Sequence, residues 1–239
     1  MALGFFERVA DVDLPHPPIP LAIFLVVERA VCAGWDLLLT QPRPGFDLTT
    51  ATEDQITHEL HEAVVNRIFN SGVVDGFNKQ VFAPGIREPK IRNYNFSSLD
   101  KMPDLFIQFV NRPTGVINTQ DGLFIECKPV DQSHPIRKDY CDRGIMRFIR
   151  GDYAWTMTSA LMVAYARRDY TILPHLSDAL KDRTTTIPTL SPPQACAVSL
   201  SGPANEVVHI SLHERNFTYL ENNKGAGAIT IRHLWLSRD

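Results

Sequence analysis

The stretch GLFIECKPV, Gly122 to Val130, constrains the fold of this chain more than any other. Five of its first six residues are apolar or glycine, the pattern of a buried strand. Glu126 and Lys128 then stand two positions apart in the same strand, where an uncompensated charge is costly. Successive residues of a strand alternate faces, so Phe124, Glu126 and Lys128 share one face while Ile125 and Cys127 take the other. Such a strand needs partners for both charges.

The segment PDLFIQFV supplies a neighbouring apolar strand with Asp104 at its start. Two carboxylates and an ammonium can therefore converge at the end of paired strands, an arrangement that a divalent cation neutralises well. Upstream, TTATEDQITHELHEAVVNRIFNSG carries a capping-box pattern, Thr52 with Gln55 three residues on. Ile56, Leu60, Ala63, Val64 and Ile68 follow at helical spacing, and Gly72 ends the helix. VVDGFNKQVFA reads as strand-like and leads into a polar insertion, GIREPKIRNYNFSSLDK. Beyond the GLFIECKPV strand, a helix is expected around 137–159 and a further strand in ALMVAYARRDYTI. The class is mixed α/β.

The chain divides into three parts. Residues 1–48 hold one apolar helix between proline-rich edges, residues 49–176 form the mixed core, and residues 177–239 form a mostly β addition behind the connector TTTIPTLSPPQ. With 239 residues, 44% apolar and 21% charged, the composition is that of an ordinary globular protein. The longest apolar run, IPLAIFLVVERAVCAGWDLLL, is cut by Glu28 and Arg29 and reads as a core helix rather than a membrane span. The start MALGFFERVADVDLPHPP lacks a basic leader followed by a cleavable apolar segment. Cys32, Cys127, Cys141 and Cys196 are scattered with no CxxC pair, which argues against a zinc ribbon or disulfide framework and fits reduced thiols in a cytoplasm.

Pro103-Asp104, 21 intervening residues, then Glu126-Cys127-Lys128 resembles the PD-(D/E)XK nuclease superfamily. The order of helices and strands over roughly 50–170 is similar to that superfamily's restriction-endonuclease-like αβββαβ core. The resemblance implies that Asp104 and Glu126 bind Mg²⁺ or Mn²⁺, with the Cys127 backbone carbonyl as a further ligand. It implies that Lys128 orients or helps deprotonate the attacking water and offsets charge on the phosphate. The superfamily often adds a carboxylate from the first helix. Glu53, in its first turn on the apolar side, is the choice, with Glu59 in reserve.

Each of these residues has a plainer alternative. Asp104 could serve a turn after Pro103, Glu126 and Lys128 could be a surface pair on an edge strand, and helix glutamates are commonly solvated. HELH, His58 to His61, lacks the i, i+4 spacing of a zinc helix, so surface histidines are expected. Cys127 is expected to be buried packing rather than a nucleophile.

Arg143, Arg147 and Arg150 fall at i, i+4 and i+7, one face of a helix opposite Cys141, Ile145 and Phe148. From Lys128 to Arg168 there are eight Lys and Arg against four Asp and Glu, although the whole chain carries −3. The stripe is a candidate phosphate track. Tyr153 and Trp155 are expected in the core. In EVVHISLHERNF and AGAITIRHLWL, alternating apolar residues predict paired strands with one apolar face. His213, Arg215 and His233 there are expected to be structural. The expectation for function is a Mg²⁺- or Mn²⁺-dependent nuclease acting on DNA in preference to RNA, without a membrane partner, and a homodimer is left open. The alternative is a catalytically silent nucleic-acid-binding or assembly module of the same fold.

Overall fold

The structure, a computed structural model, describes residues 12–110, 112, 115–196 and 207–239. The first eleven residues of the N-terminal part and 197–206 of the C-terminal part lie outside the described residues. Seven strands form one mixed sheet flanked by helices: β1 (Ile86–Arg87), β2 (Leu105–Gln108), β3 (Gly122–Val130), β4 (Ser159–Ala166), β5 (Thr189–Ala195), β6 (His209–His213) and β7 (Ile229–Ser237). Their order in space is β1-β2-β3-β4-β7-β6-β5. The β3–β4 and β4–β7 pairs are parallel and the others antiparallel. β3 is buried at all nine positions, as a central strand covered on both faces must be.

One face is covered by α1 (Leu21–Thr40) and α2 (Glu53–Glu62). Trp35 of α1 stacks on Tyr165 of β4, with ring centroids 5.4 Å apart, and its indole N–H donates to the Ser237 carbonyl at 2.9 Å. The expected capping box is formed: the Thr52 hydroxyl accepts from Gln55 N at 3.3 Å, and the Gln55 side chain accepts from Thr52 N at 2.9 Å. Behind α2 the helix widens into a π-helical stretch, Ala63–Ile68, and closes with the short α3 (Phe69–Ser71). Gly72, at φ +67°, ends it in the left-handed conformation that glycine adopts most readily.

The other face is covered by a π-helical stretch, Ile136–Ile145, that runs into α4 (Met146–Ile149). The helix ends at Arg150 and Gly151, well short of the expected 159. Gly151 takes φ +69°, and a Cβ there would sit 2.8 Å from Phe217 and 2.9 Å from Tyr94. A second π-helical stretch, Ile172–Leu176, leads into α5 (Ser177–Lys181).

Two strand expectations need correction. VVDGFNKQVFA folds mostly as turns, with Gly76 at φ +82° and a single bridge from Phe82 to Phe109, so the strand beside β2 shrinks to Ile86–Arg87. In β6 the apolar face is not the more buried one: Ser211 and His213 are fully buried, while Ile210 and Leu212 are half-buried. Helices cover this sheet on both faces, so the polar row lies inside and is satisfied by hydrogen bonds instead of water.

The connector TLSPPQA becomes the edge strand β5, broken by two register shifts. Prolines cannot donate to a ladder and are tolerated at an edge. One hydrophobic cluster runs from Ile19 through β3 and β4 to Leu236, so the N-terminal helix and the C-terminal strands share the core of the middle segment. Glu28 of α1 and Arg232 of β7 form a fully buried pair across that junction, Arg232 Nη2 lying 3.0 Å from Glu28 Oε2. No helix among the described residues is long and apolar enough to cross a membrane.

Candidate active site

The β2–β3 register pairs Leu105 with Ile125; continued by one residue, it sets Asp104 opposite Glu126. Asp104 is held there from both sides. Its carbonyl accepts from Glu88 N at 3.1 Å, and its Oδ2 accepts from Cys127 N at 2.6 Å. Lys128 lies two residues along the same face of β3. Its Nζ is 2.7 Å from Glu53 Oε1, 2.9 Å from Glu126 Oε1, 3.5 Å from Asp104 Oδ2 and 2.9 Å from the Cys127 carbonyl oxygen. Glu53 reaches it from the first residue of α2. Asp104, Glu126, Lys128, Glu53 and the Cys127 carbonyl are thus gathered at one point.

Glu59 takes no part. It is buried on another side of α2 and pairs with Arg43 at 2.5 Å. The Cys127 thiol faces away from the cluster, hydrogen-bonded to the Tyr165 hydroxyl, and burial pushes it well above the usual thiol range. His58 and His61 are half-buried, and His61 Nε2 lies 3.0 Å from the Gly85 carbonyl.

Two residues join the site that the sequence did not assign to it. The Tyr153 hydroxyl donates to Glu126 Oε2, and Arg147 Nε lies 3.6 Å from Glu126 Oε1. Tyr153 is fully buried, as expected, but its hydroxyl serves the carboxylate. The turn at Gly151 points it back at β3, and no local sequence pattern encodes that return. The arginine stripe is split. In the wide π-helical turns, with their i→i+5 hydrogen bonds, residues four apart no longer line up as in an α-helix. Arg147 turns into the site, Arg143 is held by Asp139 at 2.8 Å, and Arg150 is exposed beyond the end of α4.

Three carboxylates face two cations, so the fully ionised cluster carries −1. Burial, and next the Asp104 charge, push the Glu126 carboxyl up to about 7; Lys128, Arg147 and Tyr153 pull it back only in part. Burial drags the Lys128 ammonium down, but Glu126, Asp104 and Glu53 together outweigh it and hold the pKa above the usual lysine value. Lys128 therefore keeps its proton, and Glu126 is the group whose proton changes hands near neutral pH. Glu126 Oε1 is buried without a hydrogen-bond donor: the two hydrogen bonds of Lys128 go to Glu53 and the Cys127 carbonyl, and its 2.9 Å contact with Oε1 is an ion pair only.

His213, Arg215 and His233 form no part of this cluster. Ser211 Oγ bridges His213 Nε2 (2.6 Å) and His233 Nε2 (2.8 Å), and the Tyr140 hydroxyl lies 3.0 Å from His233 Nδ1. Burial pulls His213 down to about 4 and His233 well below the usual histidine value, so both are neutral. Arg215 is buried and donates to the carbonyls of Ala226 and Gly227. Among the described residues, no group of three or more His, Cys, Asp and Glu side chains closes into a metal cage. Comparison of the chain with protein-family models, with curated proteins and with solved structures gives no match.

Proposed function

We propose that this protein is a divalent-metal-dependent nuclease with a restriction-endonuclease-like core, hydrolysing phosphodiester bonds in DNA. The observation that carries this is the clustering of Glu53, Asp104, Glu126 and the Cys127 carbonyl around the Lys128 ammonium at the end of paired strands. One carboxylate would neutralise one lysine. Here three acids crowd it, and one is pushed close to neutrality.

The donor chemistry suits Mg²⁺ or Mn²⁺. All candidate ligands are hard oxygens, and Glu126 Oε1 lacks a hydrogen-bond donor. Mg²⁺ commonly takes one or two carboxylates and fills its shell with waters and substrate phosphate, so a closed protein cage is not required. Asp104, Glu126 and the Cys127 carbonyl would hold the ion, with Glu53 beside them. Bound there, it supplies a Lewis acid and a more acidic water.

The chain's own groups do the rest. Cys127 N fixes the Asp104 carboxylate, and Tyr153 fixes Glu126 Oε2. Lys128 and Arg147 place positive charge where a phosphate gains negative charge, which is the main help phosphodiester hydrolysis needs from a protein. Lys128, holding its proton, acts as a charge stabiliser, and Glu126 serves in its ionised form as an oxygen ligand. The test is incubation of purified protein with linear, circular and single-stranded DNA and with RNA, in Mg²⁺, Mn²⁺ or EDTA. Cleavage of DNA in Mg²⁺ or Mn²⁺ but not EDTA is expected; no cleavage of any substrate in either metal sinks the proposal.

A further inference from the structure

The antiparallel pairing of β1 and β2 continues outward as a hairpin arm. Glu88 N donates to the Asp104 carbonyl, Ile91 bridges Lys101, and Asn93 N donates to the Ser98 carbonyl at 3.0 Å. The arm therefore carries Asp104 at its base and Phe96 at its tip. Side chains lock the tip: Asn93 Nδ2 donates to Ser97 Oγ at 2.8 Å, Asn93 Oδ1 accepts from Ser98 N at 3.1 Å, and Asn95 Oδ1 accepts from Ser97 N at 3.2 Å.

Phe96 is held at φ +58°, a conformation that a bulky side chain seldom adopts, and its residue surface is 52% exposed. Behind it, the Arg92 guanidinium lies 3.8 Å from the Phe96 ring centroid and 4.2 Å from that of Trp155, bridging an exposed ring to a fully buried one. Trp155 Nε1 donates to the Arg92 carbonyl at 3.1 Å, and Arg92 Nη2 is anchored on Glu221 at 2.8 Å. The arm also docks on the segment that serves the site. Tyr94 N donates to the Gly151 carbonyl at 3.1 Å, and Lys101 Nζ pairs with Asp152 at 3.2 Å, between Arg147 and Tyr153 in the chain.

Packing explains Trp155 and hydrogen bonding explains the turn, but neither explains a strained phenylalanine facing water on a rigid, cation-backed support. A planar partner does. The flat molecules that a phosphodiesterase meets are nucleobases, and in a duplex both faces of a base are already covered by its neighbours. Away from a duplex end, an unpaired, unstacked base is what presents a free face to an aromatic side chain. Exposed Lys90 on the arm and exposed Arg150 at the end of α4 suit a phosphate backbone alongside.

We infer that Phe96, backed by Arg92 and Trp155, is a stacking platform for an unpaired base, and that the strand entering the site is single-stranded DNA. This rests on the nuclease proposal above. The test measures fluorescence anisotropy of a labelled oligothymidylate, of its duplex, and of a strand with abasic positions. It uses wild-type protein in EDTA and Lys128→Ala protein in Mg²⁺, the latter read before its slowed cleavage consumes the strand. Wild type is expected to favour the single strand over the duplex. Phe96→Ala should weaken single-strand binding about tenfold, as loss of one stacked base does, with an unchanged thermal midpoint and unchanged binding to the abasic strand. Phe96→Trp should retain affinity, and its added indole emission should be quenched by the oligonucleotide. Equal single-strand affinity of Phe96→Ala and wild type overturns the platform and leaves the nuclease proposal standing. Absence of binding to every nucleic acid, in both backgrounds, overturns both.

Discussion

Lys128 Nζ lies 2.7 Å from Glu53 Oε1, tying the centre of the sheet to the first turn of a helix 75 residues earlier in the chain. Lys128→Ala removes the cation at the centre of three carboxylates. Cleavage is expected to fall by about 10²-fold or more, as when an electrostatic stabiliser is lost, with DNA affinity little changed. Single-turnover cleavage and equilibrium binding on the same preparation check this, after circular dichroism shows that the variant folds. Wild-type cleavage by Lys128→Ala would remove Lys128 from the chemistry.

Glu126 links the site to pH. Its folded-state pKa of about 7 lies above the ordinary 4.5, so the folded protein binds more protons than the unfolded chain between those values. This group's contribution is most favourable below about 4.5 and is lost as pH rises towards 7. Relative to wild type, Glu126→Gln should therefore gain stability between pH 5 and 8, by up to about 3 kcal/mol at about 1.4 kcal/mol per unit. Urea titrations at the two pH values measure it; a flat difference contradicts the raised pKa. Mg²⁺ binding should release protons and weaken towards acid, which calorimetry in two buffers of different ionisation enthalpy reads.

The Tyr153 hydroxyl favours the ionised form of Glu126 by donating to it. Tyr153→Phe should raise the Glu126 pKa further and move the acid limb of the pH–rate profile upward. The loss of rate should be largest at pH 6 and smallest above pH 8. A uniform loss at all pH values would mean that the ring only packs.

The three arginines should separate. Arg147→Ala is expected to lower cleavage, because its partner is Glu126. Arg143→Ala with Arg150→Ala is expected to spare the chemistry, lower affinity at low salt, and flatten the salt slope by up to about 0.7 per lost contact on a single strand or 0.9 on a duplex. Unchanged affinity and slope in that double variant would place the phosphate track elsewhere.

Glu28 and Arg232 test the junction of the N-terminal helix with β7. Glu28→Ala leaves a buried guanidinium without its counter-charge, a change that typically costs about 3–5 kcal/mol. Urea denaturation measures the loss; a loss under about 1 kcal/mol would show that water or a rearranged partner reaches Arg232.

The residues of β3 announce a buried strand, and their alternation puts Glu126 and Lys128 on one face with Cys127 on the other. Thr52 and Gln55 likewise fix where α2 begins, and Glu53 follows directly. These features were legible because a strand period, a capping box and a helical stripe each depend on neighbours within a few residues. What lay between distant segments was not. Glu53 was the choice over Glu59 from its place on the helix face, but its meeting with Lys128 depends on how α2 lies on the sheet, and that Arg147 leaves its stripe depends on a widened helix. Tyr153 reaches Glu126 because the chain reverses at Gly151, and β7 settles beside β4 in parallel with its Arg232 paired to Glu28 of α1. Sequence period sets which face a side chain takes. Only the packing of whole elements decides what that face meets.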